Sequence, residues 1–223
     1  MTVTLYKRNI PLDMKIELKD TIPPCTGVIL SGGLNTRFSG KDKSFILLEN
    51  QYIIDFIYSI FQTLFDEIIL VTNNPMAYIH LDAIIVTDIF PTRSSLTGLH
   101  AGLYYSSNNY SFFVACDTPF LKKELIRAIL NQIEPHVDAI VPETSKGLEP
   151  LFAVYSKKCL KPIEYQLNKK NLKVRSFLKK VRTTFFPENK IREIDPDLNS
   201  FFNINTPDDL AIAKKMINKY TGG

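Results

Sequence analysis

Short apolar runs rich in β-branched residues alternate along this chain with segments whose apolar residues recur at helical spacing, and that alternation admits few architectures. The first run, Gly27-Val28-Ile29-Leu30, closes with Ser31-Gly32-Gly33, as a buried parallel strand ending in a tight loop would. Ile53, Ile54, Phe56, Ile57, Ile60, Phe61 and Leu64 then follow helical spacing, and Glu67-Ile68-Ile69-Leu70-Val71 supplies a second strand. The unit repeats through the strand Ala83-Ile84-Ile85-Val86, a helix over 95–106, the strand Phe112-Phe113-Val114-Ala115-Cys116 and a helix over 122–132. The pattern predicts an α/β fold with a doubly wound, mostly parallel sheet. After Ala139-Ile140-Val141 it loosens into the run Leu151-Phe152-Ala153-Val154-Tyr155 and two basic helical stretches, 158–166 and 174–181. Thr206-Pro207-Asp208-Asp209 starts a closing helix, with proline in its first turn and acids at the positive end of its dipole.

A chain of 223 residues suits one globular unit. Residues 1–24, ending in Ile22-Pro23-Pro24, read as an extension, and 25–223 as the domain. A net charge of +4 is too small to indicate a nucleic-acid binder. Its distribution is uneven: residues 156–190 hold eleven Lys or Arg against Glu164 and Glu188. That stretch either steers an anionic ligand or acidic partner, or forms solvated helix faces. Cys25, Cys116 and Cys159 are far apart and form no metal or disulfide spacing. Charges at Lys7, Arg8, Asp13, Lys15, Glu17, Lys19 and Asp20 interrupt any apolar run that could act as a signal peptide or membrane span, so a cytoplasmic location away from membranes is expected. His80, His100 and His136 fit no metal or catalytic spacing and are read as structural, and Cys116 as a small hydrophobe.

The chemistry concentrates after the first strand. Ser31-Gly32-Gly33-Leu34-Asn35-Thr36-Arg37-Phe38-Ser39-Gly40-Lys41-Asp42-Lys43 places small residues where backbone N–H groups can approach phosphates, with Arg37 and Lys43 as neutralising cations. The spacing fits neither a Walker A loop nor a dinucleotide fingerprint. Asp117, at the carboxyl end of a central strand, stands where open α/β sheets hold their ligands and can carry Mg²⁺; capping the helix after Pro119 is the plainer alternative.

Leu30-Ser31-Gly32-Gly33 with Arg37, Gly40 and Asp42-Lys43, then Leu96-Thr97-Gly98, Cys116-Asp117-Thr118-Pro119 and Phe202-Asn203-Ile204-Asn205-Thr206-Pro207, taken in order, resemble the molybdenum cofactor guanylyltransferase family. The resemblance covers nearly everything after the extension and implies a Rossmann-like nucleotidyltransferase fold. It further implies transfer of GMP from GTP to the terminal phosphate of molybdenum-molybdopterin, with Mg²⁺ as cofactor. Molybdopterin-loading proteins or apo-molybdoenzymes would then be the protein partners. On this resemblance Leu30, Ser31, Gly32 and Gly33 meet the nucleotide through their backbone, with Lys43, Asn73, Asp88, Gly98 and Asp117 completing that pocket, while Asn203 and Asn205 belong to the pterin side. Arg37, Lys43 and Asp117 are the catalytic candidates, Asp117 also the metal ligand.

Asn203 and Asn205 alternate about Ile204, so on a strand both point to one face, and plainer readings stand beside these: Asn73 or its neighbour Asn74 closes a turn, Asp88 forms a turn, Gly98 serves helix packing, and Asn203 and Asn205 are buried turn asparagines before a helix. Three departures from the family pattern, Ser31 for the commoner Ala, Phe38 for Met and Ser95 for Pro, remove no charge. A phosphate acceptor already largely ionised near neutrality, its second pKa being about 6, needs no strong general base. The alternative functions are cytidylyl transfer to molybdopterin or to a sugar or polyol phosphate, and noncatalytic carriage of molybdopterin.

Overall fold

The computed structural model describes residues 23–32 and 43–221. β1 (Cys25–Ser31) is buried along its whole length. A 3₁₀ turn (Lys43–Phe45) and a small hairpin of β2 (Leu47–Leu48) and β3 (Gln51–Tyr52) lead into α1 (Ile53–Gln62). The chain returns through β4 (Ile68–Thr72), a 3₁₀ turn (Pro75–Tyr78), β5 (Ile84–Val86), α2 (Ser95–Tyr105), β6 (Tyr110–Ala115) and α3 (Lys123–Leu130). Next come β7 (Ala139–Thr144), β8 (Gly147–Leu148), β9 (Phe152–Ser156), α4 (Leu160–Asn168) and α5 (Val174–Leu178). β10 (Thr183–Pro187), α6 (Glu188–Ile194) and α7 (Pro207–Thr221) complete the described chain.

The main sheet runs β10-β7-β9-β6-β1-β4-β5, with β8 paired to β7. β1 is parallel to both β4 and β6, β4 to β5, and β7 to β10, so the expected doubly wound, mostly parallel sheet is present. β9 runs antiparallel between β6 and β7, which the looser patterning after residue 141 foreshadowed without specifying. β10 and α6 were not expected. The basic helix predicted over 174–181 ends at Leu178, and the chain then forms the edge strand, with Phe185 exposed and Phe186 buried.

Strand alternation sends side chains to two cores. On one face Ile29, Leu70, Phe112, Val114 and Val154 meet α1, α3, α6 and α7 through residues such as Ile54, Ile129, Ile191 and Ala213. On the other, Val28, Leu30, Ile69, Val71, Phe113 and Tyr155 meet α2, α4 and α5 through Leu99, Ile163 and Phe177. α2 packs unusually close: a Cβ added at Gly102 would lie 2.6 Å from Val28 Cγ1 and 2.7 Å from Phe113 Cε1. The chain leaves β1 toward β4 and β5, then crosses back to place β6 on the other side of β1. The crevice at the carboxyl ends of β1 and β6 is thus the switch point where ligands bind in open α/β sheets.

Candidate active site

That crevice is a cleft of about 710 Å³. Its floor is the end of β1 (Leu30, Ser31, Gly32) and of β6 (Ala115, Cys116, Asp117). One side carries Thr72, Asn73 and Asn74 after β4 and Asp88 after β5; the other carries Glu149, Pro150 and Leu151 before β9, with Phe201 and Asn203 above them in sequence. The first turn of α2 enters through Ser94, Ser95 and Gly98. Ser94 caps this helix: it accepts the N–H of Thr97 at 3.2 Å, and its own N–H donates to Thr97 Oγ1 at 3.0 Å. The capped end leaves a helix N-terminus, with its partial positive charge, at the wall of the cleft.

Lys43 is the hub of the charged groups. Its ammonium donates to Asn205 Oδ1 at 2.6 Å and to Asp117 Oδ2 at 3.2 Å, and its side chain is only 17% exposed. Asp117 therefore does not cap the following helix, whose N-cap residue is Lys122 and has no side-chain cap. The loop bearing Asn205 is fastened to β6 by the Ile204 N–H, which donates to Asp117 O at 2.9 Å. Residues 202–205 are irregular rather than a strand, yet with Ile204 buried, Asn203 and Asn205 both reach the cleft. Asp209 holds the next turn by accepting the N–H groups of Asn205 and Thr206 at 2.9 and 2.8 Å; hydrogen bonds from Thr206 and Asn205, with Lys43 nearby, keep its carboxyl below the usual range.

Across the cleft, Asn73 Nδ2 donates to Asp88 Oδ2 at 3.0 Å, so that asparagine is joined to the acid rather than closing its own turn. Asn74 also lines the cleft. Burial pushes the Asp88 carboxyl up, against the opposing pull of Asn73 and Arg93. Gly98 lies beneath this pair: an added Cβ would stand 3.3 Å from Leu30 Cδ2 and 3.9 Å from Asp88 Oδ1. Helix packing and access to the cleft thus coincide at one position. Ser31 turns its hydroxyl away from the cleft floor to Ser44 Oγ at 2.8 Å and Tyr78 OH at 2.5 Å, which leaves its backbone as the group available to a ligand.

The predicted site residues Leu30, Ser31, Gly32, Lys43, Asn73, Asp88, Gly98, Asp117, Asn203 and Asn205 all border this cleft. Gly33 and Arg37 lie outside the described residues. Arg93, Ser94, Glu149 and Phe201 were not picked out from the sequence, although the helix start at Ser94-Ser95-Leu96-Thr97 carried a readable capping signal. The histidines stay away from the cleft lining. His100 is buried, 3.2 Å from Glu164, and His136 is exposed beside Glu134. Burial pushes the thiols of Cys25 and Cys159 up, the latter to about 12, so neither is poised as a nucleophile. Among the described residues no cluster of three or more His, Cys, Asp or Glu could cage a metal, and no helix is long and apolar enough to cross a membrane.

The sequence model of the MobA-like NTP transferase domain matches residues 27–184. The chain is 42% identical to a molybdenum cofactor guanylyltransferase of Desulfosudis oleivorans, over 86% of this chain and 95% of that one. It is 32% identical to the enzyme of the same name from Syntrophotalea carbinolica, over 82% and 88%. Among solved structures it resembles the molybdopterin-guanine dinucleotide biosynthesis protein A of Archaeoglobus fulgidus, with a TM-score of 0.78 and 26% identity over 87% of this chain and 99% of that one. The fold alone is shared with the 2-C-methyl-D-erythritol 4-phosphate cytidylyltransferase of Thermus thermophilus, at a TM-score of 0.62 and 13% identity over 86% and 98%.

Proposed function

Since this chain belongs to the MobA-like nucleotidyltransferases, among the molybdenum cofactor guanylyltransferases, we propose a division of labour in the cleft for the transfer of GMP. The reaction joins GMP from GTP to molybdopterin, giving the guanine dinucleotide cofactor and pyrophosphate. The guanine and ribose occupy the side of Asn73 and Asp88, and the triphosphate crosses the backbone of Leu30, Ser31 and Gly32 toward Lys43; the resemblance assigns Gly33 and Arg37 to the same phosphates. The terminal phosphate of molybdenum-molybdopterin approaches from the side of Asn203 and Asn205 and attacks the α-phosphorus in line. The P–O bond to the β-phosphate breaks and pyrophosphate leaves with the electron pair.

The observation that carries this reading is the ammonium of Lys43, held at 3.2 Å from Asp117 and 2.6 Å from Asn205 at the end of the two central strands. A cation fixed there meets charge developing on the phosphates without reorganising in the transition state, a contribution of roughly 10²–10³ in rate for one such group. Asn205 orients the cation and stands where the acceptor must come. Nucleotidyltransferases generally use a divalent metal, and Asp117 suits Mg²⁺, which is commonly held by one or two carboxylates with the remaining ligands from phosphates and water. A magnesium ion on Asp117 would supply Lewis-acid charge to the triphosphate oxygens. No side chain is needed to deprotonate an acceptor phosphate that is already ionised.

We place the reaction in the cytoplasm, with molybdopterin-loading proteins or apo-molybdoenzymes exchanging cofactor with the enzyme. Exposed Lys158, Lys169, Lys170, Lys173, Lys179 and Lys180 give an acidic partner a surface to meet. The functional test is pyrophosphate release with Mg²⁺ and molybdopterin, comparing GTP, CTP, ATP and UTP. Release with GTP is expected. Release with CTP instead would keep the mechanism and change the product, and release with none would overturn the assignment.

A further inference from the structure

Glu149 has no part in the reaction as derived so far, yet it borders the same cleft. It is half-buried, and among the described residues no donor and no cation lies within hydrogen-bonding or ion-pairing distance of its carboxylate. One of the cations whose charge it feels is otherwise engaged: Arg175 donates to Leu148 O at 3.0 Å, in the β7–β8 hairpin whose Gly147 has φ +118. Burial raises the Glu149 carboxyl above the ordinary range, against the pull of Arg175 and Lys146. A partly desolvated carboxylate facing a cleft without a partner is poised for a donor that the ligand must bring.

Its position is fixed. The Glu149 N–H donates to Pro142 O at 2.9 Å, and its carbonyl accepts the Phe152 N–H at 3.1 Å. The next residue is anchored from below by the buried Tyr155, whose hydroxyl donates to Pro150 O at 2.7 Å. Phe152 in turn packs edge-on against Phe201, with ring centroids 5.0 Å apart, tying this segment to the loop that carries Asn203.

Along the sheet, Asp88 follows β5 and Glu149 precedes β9, with β4, β1 and β6 between those strands. Four strand spacings of about 4.8 Å set β5 and β9 roughly 20 Å apart, a span wider than a single base, and the two acids stand on the loops at its two ends. The substrates bring two heterocycles, guanine and a pterin, and both present a ring N–H beside an exocyclic amino group. A carboxylate accepts such a pair with both oxygens. Asp88 stands at the nucleotide end, which leaves Glu149 at the acceptor end.

We infer that Glu149 is a specificity residue for the acceptor, receiving the ring N–H and 2-amino group of the pterin. The inference rests on molybdopterin being the acceptor. It explains how a cleft with two ends sorts two chemically similar ring systems: the acceptor is oriented by its heterocycle at Glu149 and by its phosphate at Lys43.

The test compares equilibrium binding of 6-hydroxymethylpterin monophosphate with that of the corresponding lumazine monophosphate, whose 2-oxo group replaces the amino donor, followed by quenching of ligand fluorescence. The native enzyme is expected to prefer the pterin by roughly tenfold or more, since an acceptor matched to a substrate donor rejects the analogue that lacks it. Glu149→Gln should collapse that preference to about threefold or less, while calorimetric GTP affinity and thermal melting stay as in the native enzyme. An undiminished preference in Glu149→Gln would overturn the inference, as would a loss confined to GTP, which would move Glu149 to the guanine. Binding of GTP with no binding of either phosphate by the native enzyme would instead strike the pterin-acceptor reading itself, and this inference with it.

Discussion

Where β6 ends, Asp117 projects a carboxylate with only 18% of its side chain exposed toward Lys43 at 3.2 Å, and it neither caps a helix nor supports a core cluster. Asp117→Ala should therefore lower turnover by at least roughly 10²-fold while leaving the thermal melting point within a few degrees. Near-normal turnover would remove its role. Asp88 gives a second prediction through its raised carboxyl. If the ionised form accepts guanine donors, GTP affinity falls on acidification, and the fall begins at higher pH than the ordinary carboxylate value of about 3.9 would give. Asp88→Asn should weaken GTP binding by roughly tenfold and abolish that pH dependence; an identical profile in the variant would assign it to another group. These residues were legible because small residues, a cation and acids at strand ends carry chemistry in their types. Glu149 was not legible: one acid in the connection Leu148-Glu149-Pro150-Leu151 carries no such signal, and its place comes from Tyr155, Pro142 and Phe152, which are distant or apolar.

Among the elements, the apolar alternation from β1 to α3 could be read closely because β1 and β4 are buried on both faces and α1 and α3 each have one apolar side. The second half resisted. β9 carries the same continuous apolar run whether it is parallel or antiparallel, and β10 is an edge strand with partly exposed threonines and an exposed Phe185, so its burial pattern is set by its neighbour β7. That neighbour is secured by Asp138, which accepts from the backbone N–H of Arg182 at 3.0 Å and from its guanidinium at 3.1 Å. The Arg182 guanidinium holds the Asp138 carboxyl below its usual range. A lowered folded-state pKa contributes stability that is fully present above the unfolded value, about 3.9, and is lost as pH falls through the lowered one. Asp138→Asn should cost about 1–2 kcal/mol near neutrality, with solvent at Arg182 limiting the figure, and the difference from the native protein should vanish in acid. A difference that persists unchanged at low pH would contradict the ion-pair origin. At Gly102, where an added Cβ would meet Val28 and Phe113 at under 3 Å, Gly102→Ala should destabilise by about 1–3 kcal/mol in urea unfolding. An unchanged midpoint would show that α2 can shift without cost.

For the molecule as a whole, two apolar layers grip one sheet and leave a cleft of about 710 Å³ at the crossover between β1 and β6. On the proposed division of labour the nucleotide lies over β1, β4 and β5 and the acceptor over β6 and β9, so both substrates can bind before the chemistry begins. The account requires one product that contains both. The most direct measurement is a single-turnover assay with GTP labelled at the α-phosphate and molybdenum-molybdopterin, following label into the dinucleotide for the native enzyme and for Asp117→Asn. The account predicts label in molybdopterin guanine dinucleotide, one pyrophosphate released per product, and a rate at least roughly 10²-fold lower in the variant. Label that remains in GTP, or transfer at equal rates in both proteins, would contradict it.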